Sequence, residues 1–321
     1  MEIISINDLE NIRIGQTENR EAGTGVSVLI SEEGMLAGLD VRGGGPVSRE
    51  TQLLNPIMNT HLIHAIVLAG GSAFGLGAAD GVMNYLEEKG IGYDTGFAKI
   101  PLVVQSDIYD LSVGRSDIRP DKEMGYAAAK EAFTGSGFKP GNYGVGCGAS
   151  IGKIAGMARA MKSGIGSYAI RINEFEIGAI SVVNAFGDIY DYKNGKQIAG
   201  LLAADQKQLD NTMEHMTSST QIVRNKFTGN TTLSIVITNA KFNKAQLCKI
   251  AGLAHDGYAR SIRPVHTSAD GDSIYAVSTG DLEVDKDLAG SLAAEVVSEA
   301  ILDAVKNAES AYGLPAWKDI G

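Results

Sequence analysis

The sequence has few cysteines, fewer basic than acidic side chains, and no long apolar run. Its two cysteines, Cys147 and Cys248, cannot form a disulfide framework, so we expect a reducing compartment. The 28 basic and 38 acidic side chains give a net charge of −10, and no basic stripe interrupts this excess of acid. We therefore expect neither nucleic acid nor a membrane surface as a partner.

Targeting patterns are also missing from the sequence. The apolar stretch over residues 65–69 is far shorter than the ~20 apolar residues that cross a bilayer. The first residues have neither the basic region nor the apolar region of a signal peptide. We therefore expect a soluble, cytoplasmic protein.

The histidines do not form a metal-binding pattern. There are five of them, and none belongs to an H-E-x-x-H motif or a Cys/His cluster. We expect structural roles for His255, inside a predicted helix, and for His266, in the loop that follows. Cys147 has no activating feature nearby, and we interpret it as a small buried hydrophobic residue.

The sequence does contain 40 glycines, spread among short apolar runs, which is typical of tight turns and close backbone contacts. Alternating strand-like and helix-like runs predict an α/β or α+β fold without internal repeats. Strands are predicted over residues 25–30, 62–69, 168–172, 176–184, 231–238 and 272–278, and helices over residues 77–89, 121–133, 244–262 and 288–310. Residues 194–228 are polar, and we interpret them as a surface loop with a short helix near residues 196–205.

Two glycine-rich segments do not match the functional motifs that they resemble. Residues 144–153 contain Gly148, Gly152 and Lys153, but the glycine spacing of a phosphate-binding loop is wrong and no Ser or Thr follows the lysine. Residues 70–75 resemble a nucleophile elbow, but Phe74 stands where that motif requires glycine. We interpret this second segment as a tight turn between a strand and a helix.

The segment around Asn230 and Thr231 places a polar turn directly before a buried strand. Taken alone, it favours an ordinary core strand after a turn. The alternative is self-cleavage, in which the threonine hydroxyl attacks the preceding carbonyl group. Hydrolysis would then free an N-terminal amine, and such an amine can activate the hydroxyl of its own threonine.

A series of short motifs runs through nearly the whole chain. They are Gly45-Pro46 with Arg49-Glu50-Thr51, Gly70 to Leu76 with Ala78 to Gly81, Gly144 to Lys153, Asn184 to Asp188, Asn230 to Leu233, His255 to Gly257, Arg263 to Thr267, Asp270 to Asp272, and Gly313 to Ala316. In this order they resemble the DmpA-like family of self-processing peptidases, the L-aminopeptidase/D-esterases. Relatives of that family include the β-peptidyl aminopeptidases and the nylon-oligomer hydrolases.

The resemblance implies a single domain over residues 1–321 with a four-layer αββα sandwich. This is the fold of the N-terminal-nucleophile type that ornithine acetyltransferases share. It implies that Thr231 is the nucleophile and that cleavage after Asn230 yields an α subunit of residues 1–230 and a β subunit of residues 231–321. It also implies a homo-oligomer, a tetramer of processed protomers.

Five further residues receive roles from the resemblance. Asp270 and Asp272 match the pair that orients and polarises the nucleophile, and Asn184 matches the amide that stabilises the oxyanion. Tyr109 matches a tyrosine lining the substrate cleft, and Lys153 matches a lysine near the nucleophile that assists deprotonation or stabilises charge. Without the resemblance, each residue has an ordinary structural interpretation. Asp270 and Asp272 would be turn residues, and Asn184 would cap or bridge a turn. Tyr109 would be a half-buried aromatic residue, and Lys153 would be a solvated lysine.

The resemblance therefore predicts an amide hydrolase that forms an acyl-enzyme ester on Thr231 and needs no metal or organic cofactor. The expected substrates are small peptides or ω-amino-acid, nylon-like oligomers. One alternative is an acyltransferase of the ornithine-acetyltransferase type, and another is an uncut, non-catalytic binding homologue. The motifs at residues 70–81 and 263–267 favour the peptidase branch over acyl transfer.

Overall fold

The computed structural model of the chain describes residues 1–60, 62–135, 137–218 and 229–320. In these residues the strands are β1 (Glu2–Ile4), β2 (Arg13–Asn19), β3 (Thr24–Val41), β4 (Ser48–Arg49), β5 (Ile63–Ala69), β6 (Tyr93–Asp94), β7 (Lys99–Ile100), β8 (Val103–Asp107), β9 (Ser150–Ile151), β10 (Met161–Lys162), β11 (Ile165–Ile172), β12 (Phe175–Asn184), β13 (Asp188–Asp191), β14 (Lys196–Ala199), β15 (Thr231–Ala240), β16 (Ile262–Arg263) and β17 (Ser273–Leu282). The α-helices are α1 (Ala78–Glu88), α2 (Lys122–Thr134), α3 (Thr212–Thr217), α4 (Lys244–Ser261) and α5 (Lys286–Asn307). Short 3₁₀ helices cover Ile6–Asp8, Thr51–Leu54, Ser72–Gly77, Gly144–Gly148, Met157–Arg159 and Trp317–Asp319.

One large sheet runs in the order β1-β11-β12-β15-β17-β3-β5-β8-β4, and β2 also pairs with β3. The long strand β3 joins its two halves. Residues 36–41 of β3 pair with β17, whereas residues 26–30 pair with β5, and the register shifts between Ile30 and Met35. The two halves of the sheet face each other, because side chains from both, such as Leu68 and Leu233, share one apolar core.

Helices cover the outer face of each half. Helices α4 and α5 pack on β11, β12, β15 and β17 through a second core, which includes Val236 and Ala276. Helices α1 and α2 cover β3 and β5 through a third core, which includes Val28 and Val67. The layers are therefore helix, sheet, sheet and helix, and the predicted four-layer αββα sandwich is confirmed.

Strand β15 lies in the middle of its half of the sheet. It pairs antiparallel with β12 and parallel with β17, and its side chains alternate between two cores. Leu233 and Ile235 enter the core between the sheets, whereas Val236 faces α4 and α5. Buried on both faces, this strand carries a near-continuous run of β-branched and apolar residues, and it holds its first residue, Thr231, in the interior.

Most predicted elements are confirmed within a few residues of their bounds. Asp121 caps α2 as expected, because its side chain accepts from the Met124 N–H at 2.9 Å. The strand-to-helix turn after β5 is also confirmed, with Gly71 at a φ of 81°. In the described ranges, none of the helices combines the length and the apolar character needed to cross a bilayer.

The predicted helix near residues 196–205 is wrong. Its first residues form β14, which pairs with β13 through partners such as Ala199 and Ile189. Pairing with β13, which lies just before it across the turn that ends at Gly195, overrides the weak local helical pattern here and buries Ala199. The rest of the polar segment contains α3, and its residues 219–228 lie outside the described residues.

Candidate active site

Thr231 lies at the start of β15 and is only 3% exposed. Its side-chain hydroxyl contacts the carbonyl oxygen of the preceding residue, Asn230. Asn184, the last residue of β12, pairs directly with Thr231 across the sheet. Because directly paired residues point to the same face, both side chains face the interior between the two sheets.

The peptide group between Asn230 and Thr231 is held by the loop that precedes β17. The Gly271 N–H donates to the Asn230 carbonyl oxygen at 3.0 Å, and Asn230 also forms an isolated parallel bridge with Asp270. The Asn230 side chain donates from Nδ2 to the carbonyl oxygen of Ala269 at 3.2 Å. An N–H aimed at a carbonyl oxygen stabilises the negative charge that develops there during attack on the carbonyl carbon.

Asp270 and Asp272 are both buried beside the start of β15. Asp272 accepts the Thr232 N–H on Oδ1 at 2.9 Å and therefore fixes the backbone next to the hydroxyl. Asp270 accepts the Phe186 N–H on Oδ1 and the Thr267 N–H on Oδ2, each at 3.2 Å. Burial, followed by the charge of Asp272, raises the pKa of Asp270 to about 6.

Lys153 is fully buried, and its Nζ faces carbonyl oxygens. It donates to Asn184 Oδ1 at 2.7 Å, to the Asn184 carbonyl at 3.2 Å and to the Gly229 carbonyl at 3.3 Å. Burial lowers the pKa of Lys153 to about 7, although the charges of Asp270 and Asp110 act in the opposite direction. The alternative of a solvated lysine is therefore wrong, and both protonation states of this amine are populated near neutral pH.

Tyr109 contacts this cluster through its backbone and through its ring. Its carbonyl oxygen accepts from Asn184 Nδ2 at 2.9 Å, so the Asn184 amide is held between Tyr109 and Lys153. The half-buried ring lies against Gly229, and a Cβ atom at that glycine would collide with it. Only glycine fits there without movement of the ring or the chain.

All seven residues singled out by the resemblance therefore lie in one cluster. They are Tyr109, Lys153, Asn184, Asn230, Thr231, Asp270 and Asp272. Their roles in the reaction stay predictions.

In the part of the chain that the structure describes, no three His, Cys, Asp or Glu side chains form a set that could hold a metal ion. Cys147 is buried as predicted, and burial raises the pKa of its thiol.

Sequence reasoning missed the contact that His266 makes with this cluster. The His266 N–H donates to Asp272 Oδ2 at 3.0 Å, and Nδ1 of its ring lies 3.0 Å from the same oxygen. The ring also packs edge-on against His255, with centroids 4.7 Å apart. The sequence gives one indication of this contact, because His266 lies just upstream of the Asp270 to Asp272 motif.

Comparison with known proteins identifies the group of enzymes to which this architecture belongs. The family model "Peptidase family S58" matches residues 5–316. Uncharacterized aminopeptidases of Mycobacterium bovis and Mycobacterium tuberculosis are 33% identical to the chain, over 98% of it and 97% of their own length. A 6-aminohexanoate-oligomer endohydrolase of a Kocuria species is 32% identical, over 93% of this chain and 85% of that protein.

A solved structure supports the fold. The L-aminopeptidase D-Ala-esterase/amidase of Ochrobactrum anthropi, described as a variant of the Ntn hydrolase fold, superposes with a TM-score of 0.67 at 17% identity. The match covers 95% of this chain and 86% of that one. From the family match and the close relatives together, the chain belongs to peptidase family S58, the DmpA-like family, and is an amide hydrolase.

Proposed function

We propose that the protein is a self-processing N-terminal threonine amidohydrolase, cut between Asn230 and Thr231, that acts on peptides or ω-amino-acid oligomers. The observation that supports this most directly is the position of the Thr231 hydroxyl. It lies against the Asn230 carbonyl group, whose oxygen is held by the Gly271 N–H at 3.0 Å. The names of the aminopeptidase and oligomer-hydrolase relatives suggest the substrate classes.

In the processing step, Thr231 Oγ1 attacks the Asn230 carbonyl carbon and gives its proton to a base. The bond from that carbon to the Thr231 nitrogen then breaks, and the nitrogen takes a proton. The product is an ester between Asn230 and Thr231. Water hydrolyses it to the Asn230 carboxylic acid and a chain that begins with Thr231. The Gly271 N–H stabilises the oxyanion in this step.

In turnover, the freed hydroxyl attacks the amide carbonyl carbon of the substrate, the amide C–N bond breaks as the leaving nitrogen takes a proton, and an acyl-enzyme ester forms. Water then hydrolyses this ester, which releases the carboxylic acid and restores the Thr231 hydroxyl. The new N-terminal amine, with a reference pKa of about 7.7–8.0, and the nearby Lys153, with its pKa lowered to about 7, are the candidate bases. Asn184 Nδ2 carries two N–H bonds. One is directed at the Tyr109 carbonyl, and the oxyanion role that we propose for Asn184 requires the other.

Intact-mass measurement and N-terminal sequencing of freshly purified protein test this proposal. We expect two chains of 230 and 91 residues, the second beginning with Thr231, together with hydrolysis of a peptide amide or a 6-aminohexanoate oligomer. Hydrolysis by a preparation that contains only the uncut chain would contradict self-processing. Product analysis with and without an added amine acceptor distinguishes hydrolysis from acyl transfer.

Substituting Gly271 by alanine should slow self-processing about 100-fold or more. A Cβ atom there would lie 2.6 Å from Thr231 Oγ1 and 2.8 Å from the Gly45 carbonyl oxygen, so it would displace the nucleophile. Displacements of about 1 Å cost this much in enzyme reactions. Gly77→Ala is the matched control, because a Cβ atom there would meet nothing within 4 Å. Processing of Gly271→Ala at the rate of the control would refute the expected effect.

Replacing His266 by alanine should lower kcat/KM about 10- to 100-fold, mainly through kcat. The change removes a side-chain partner of the buried Asp272, and hydrogen bonds to charged groups contribute about 1.5–3 kcal/mol. His266→Asn should retain more activity, since asparagine tolerates the φ of 58° and keeps a polar side chain. Steady-state kinetics of the processed enzyme give the measurement.

The control for His266 is His215→Ala. His215 forms a similar contact on helix α3, with its Nε2 2.8 Å from Asp210 Oδ2. This variant also loses one histidine–aspartate contact, but it leaves the loop beside β17 intact. Equal kinetics for the two alanine variants would show that His266 does not position the catalytic cluster.

A further inference from the structure

In the uncut chain, Gly229 and Asn230 are the two residues before Thr231, and both lie in the candidate active site. They lie on the carbonyl side of the bond that the Thr231 hydroxyl faces. Under the proposed function, the same hydroxyl later attacks the carbonyl carbon of the substrate. The acyl group of a substrate must therefore enter the space that Gly229 and Asn230 occupy before cleavage.

The Asn230 side chain is held in a closed environment. Asn230 is 2% exposed, and its Nδ2 donates to the carbonyl oxygen of Ala269 at 3.2 Å. This acceptor and the Gly271 N–H are backbone groups of one loop, so cleavage of the Asn230–Thr231 bond does not remove them. A buried carbonyl oxygen favours a partner that donates a hydrogen bond. Asp270, the backbone-bridge partner of Asn230, adds a buried carboxyl group to this region, which disfavours a negatively charged partner.

Gly229 is held by the Lys153 amine and by an aromatic ring. Its carbonyl oxygen accepts from Lys153 Nζ at 3.3 Å. The Tyr109 ring lies against its Cα atom and leaves no room for a Cβ atom. The position before the acyl residue therefore excludes side chains, while its carbonyl group receives a hydrogen bond.

We propose that these groups form the acyl subsite of the processed enzyme and that it selects acyl donors ending in glycyl-asparagine. The inference rests on the proposed function, and it adds the chemical identity of the acyl group. The Ala269 carbonyl oxygen accepts a hydrogen bond from the amide N–H of the asparagine side chain. The Tyr109 ring sterically excludes a side chain on the residue before the asparagine. The substrate class is a peptide amide with a neutral, hydrogen-bond-donating acyl residue.

A series of four p-nitroanilides tests the subsite in the processed enzyme. The reference is acetyl-Gly-Asn-p-nitroanilide. Replacing its asparagine by aspartate or leucine keeps the approximate size and removes the donor, and replacing its glycine by alanine adds a Cβ atom. Each change should lower kcat/KM about tenfold or more, the effect of a lost buried hydrogen bond or a steric clash. Equal kcat/KM values, or no hydrolysis of any anilide by enzyme that cleaves other amides, would overturn the proposal.

The variant Tyr109→Ala tests the steric part separately. Without the ring, the preference for acetyl-Gly-Asn over acetyl-Ala-Asn should fall from about tenfold to about twofold, whereas the preference for asparagine over leucine should remain. An unchanged glycine preference would overturn the assignment of Tyr109. As an independent readout, acetyl-Gly-Asn with a free carboxyl group should inhibit competitively, and acetyl-Ala-Asn should inhibit about tenfold less. Equal inhibition by the two acids would contradict the subsite.

Failure of this inference differs from failure of the proposed function. If the function is wrong, intact mass shows only the 321-residue chain, and Thr231→Ala hydrolyses amides as well as the wild type does. If only the subsite is wrong, the protein is cut before Thr231 and hydrolyses amides, but without preference in the anilide series.

Discussion

Replacing Thr231 by alanine should leave the protein as a single chain of 321 residues and abolish amide hydrolysis. The change removes the hydroxyl that lies against the Asn230 carbonyl group, and with it both the processing step and the acyl-enzyme. Removal of a catalytic nucleophile costs about 10⁴- to 10⁶-fold in kcat. Intact mass reports the processing step, and hydrolysis of a peptide amide reports turnover.

Two variants serve as controls for Thr231→Ala. Thr231→Ser keeps the hydroxyl and should still process, more slowly, because the lost methyl group leaves the oxygen freer to rotate. Thr232→Ala removes the neighbouring buried hydroxyl, which has no hydrogen-bond partner in the described ranges, and keeps the N–H on Asp272. It should process normally. A Thr231→Ala protein that is cut or active would remove Thr231 from the chemistry.

Much of the fold follows from local sequence pattern. The apolar, β-branched run of β15 predicts a buried strand, and Asp121 before α2 predicts a helix start. The length of β3 cannot be predicted from the local sequence. Its 18 residues pair with β17 at one end and β5 at the other, so its length depends on partners distant in sequence. Strand β14, by contrast, pairs with β13 directly before it in the sequence, so the predicted helix there overlooked a local hairpin.

The candidate site was predictable only through the resemblance. Spacing alone does not indicate that Asn184 meets Thr231, because antiparallel pairing of β12 and β15 across a long connection creates that contact. Nor does spacing place Lys153 on the Asn184 carbonyl oxygens. The contact of His266 with Asp272 depends on the path of one loop, which no periodicity describes.

Two buried lysines make it possible to distinguish an effect on the processing reaction from an effect on the stability of the fold. Burial lowers the pKa of both Lys153 and Lys162 to about 7. Lys162 Nζ donates to backbone carbonyl oxygens, including those of Gly146 at 3.0 Å and Ala149 at 3.1 Å. Within the described residues, none of its hydrogen bonds goes to Asn230 or Thr231. Because both pKa values lie below the unfolded value, each lysine makes stability rise with pH from about 7 to about 10.5. A shared trend in stability therefore cannot explain a difference between the two lysines in processing.

Self-processing of the wild-type chain should accelerate as pH rises through about 7, if neutral Lys153 is the base for the Thr231 hydroxyl. The Thr231 amine does not yet exist at that stage, so it cannot produce this rise. Ionisation of Asp270, whose pKa is raised to about 6, sets the lower limit of the pH range in which processing occurs. The measurement is the decay of the uncut chain with time between about pH 5.5 and 8.5.

Lys153→Met should slow processing about 10²- to 10⁴-fold, the usual contribution of a general base, and should remove the rise near pH 7. Lys153→Arg should also lack the rise, because a guanidinium stays protonated throughout this range. Lys162→Met is the matched control. It leaves buried carbonyl oxygens without their donor and should lower the free energy of unfolding by about 3 kcal/mol, yet it should keep the wild-type pH profile. A rise near pH 7 that persists in Lys153→Met would assign the titration to Asp270 and exclude Lys153 as the base.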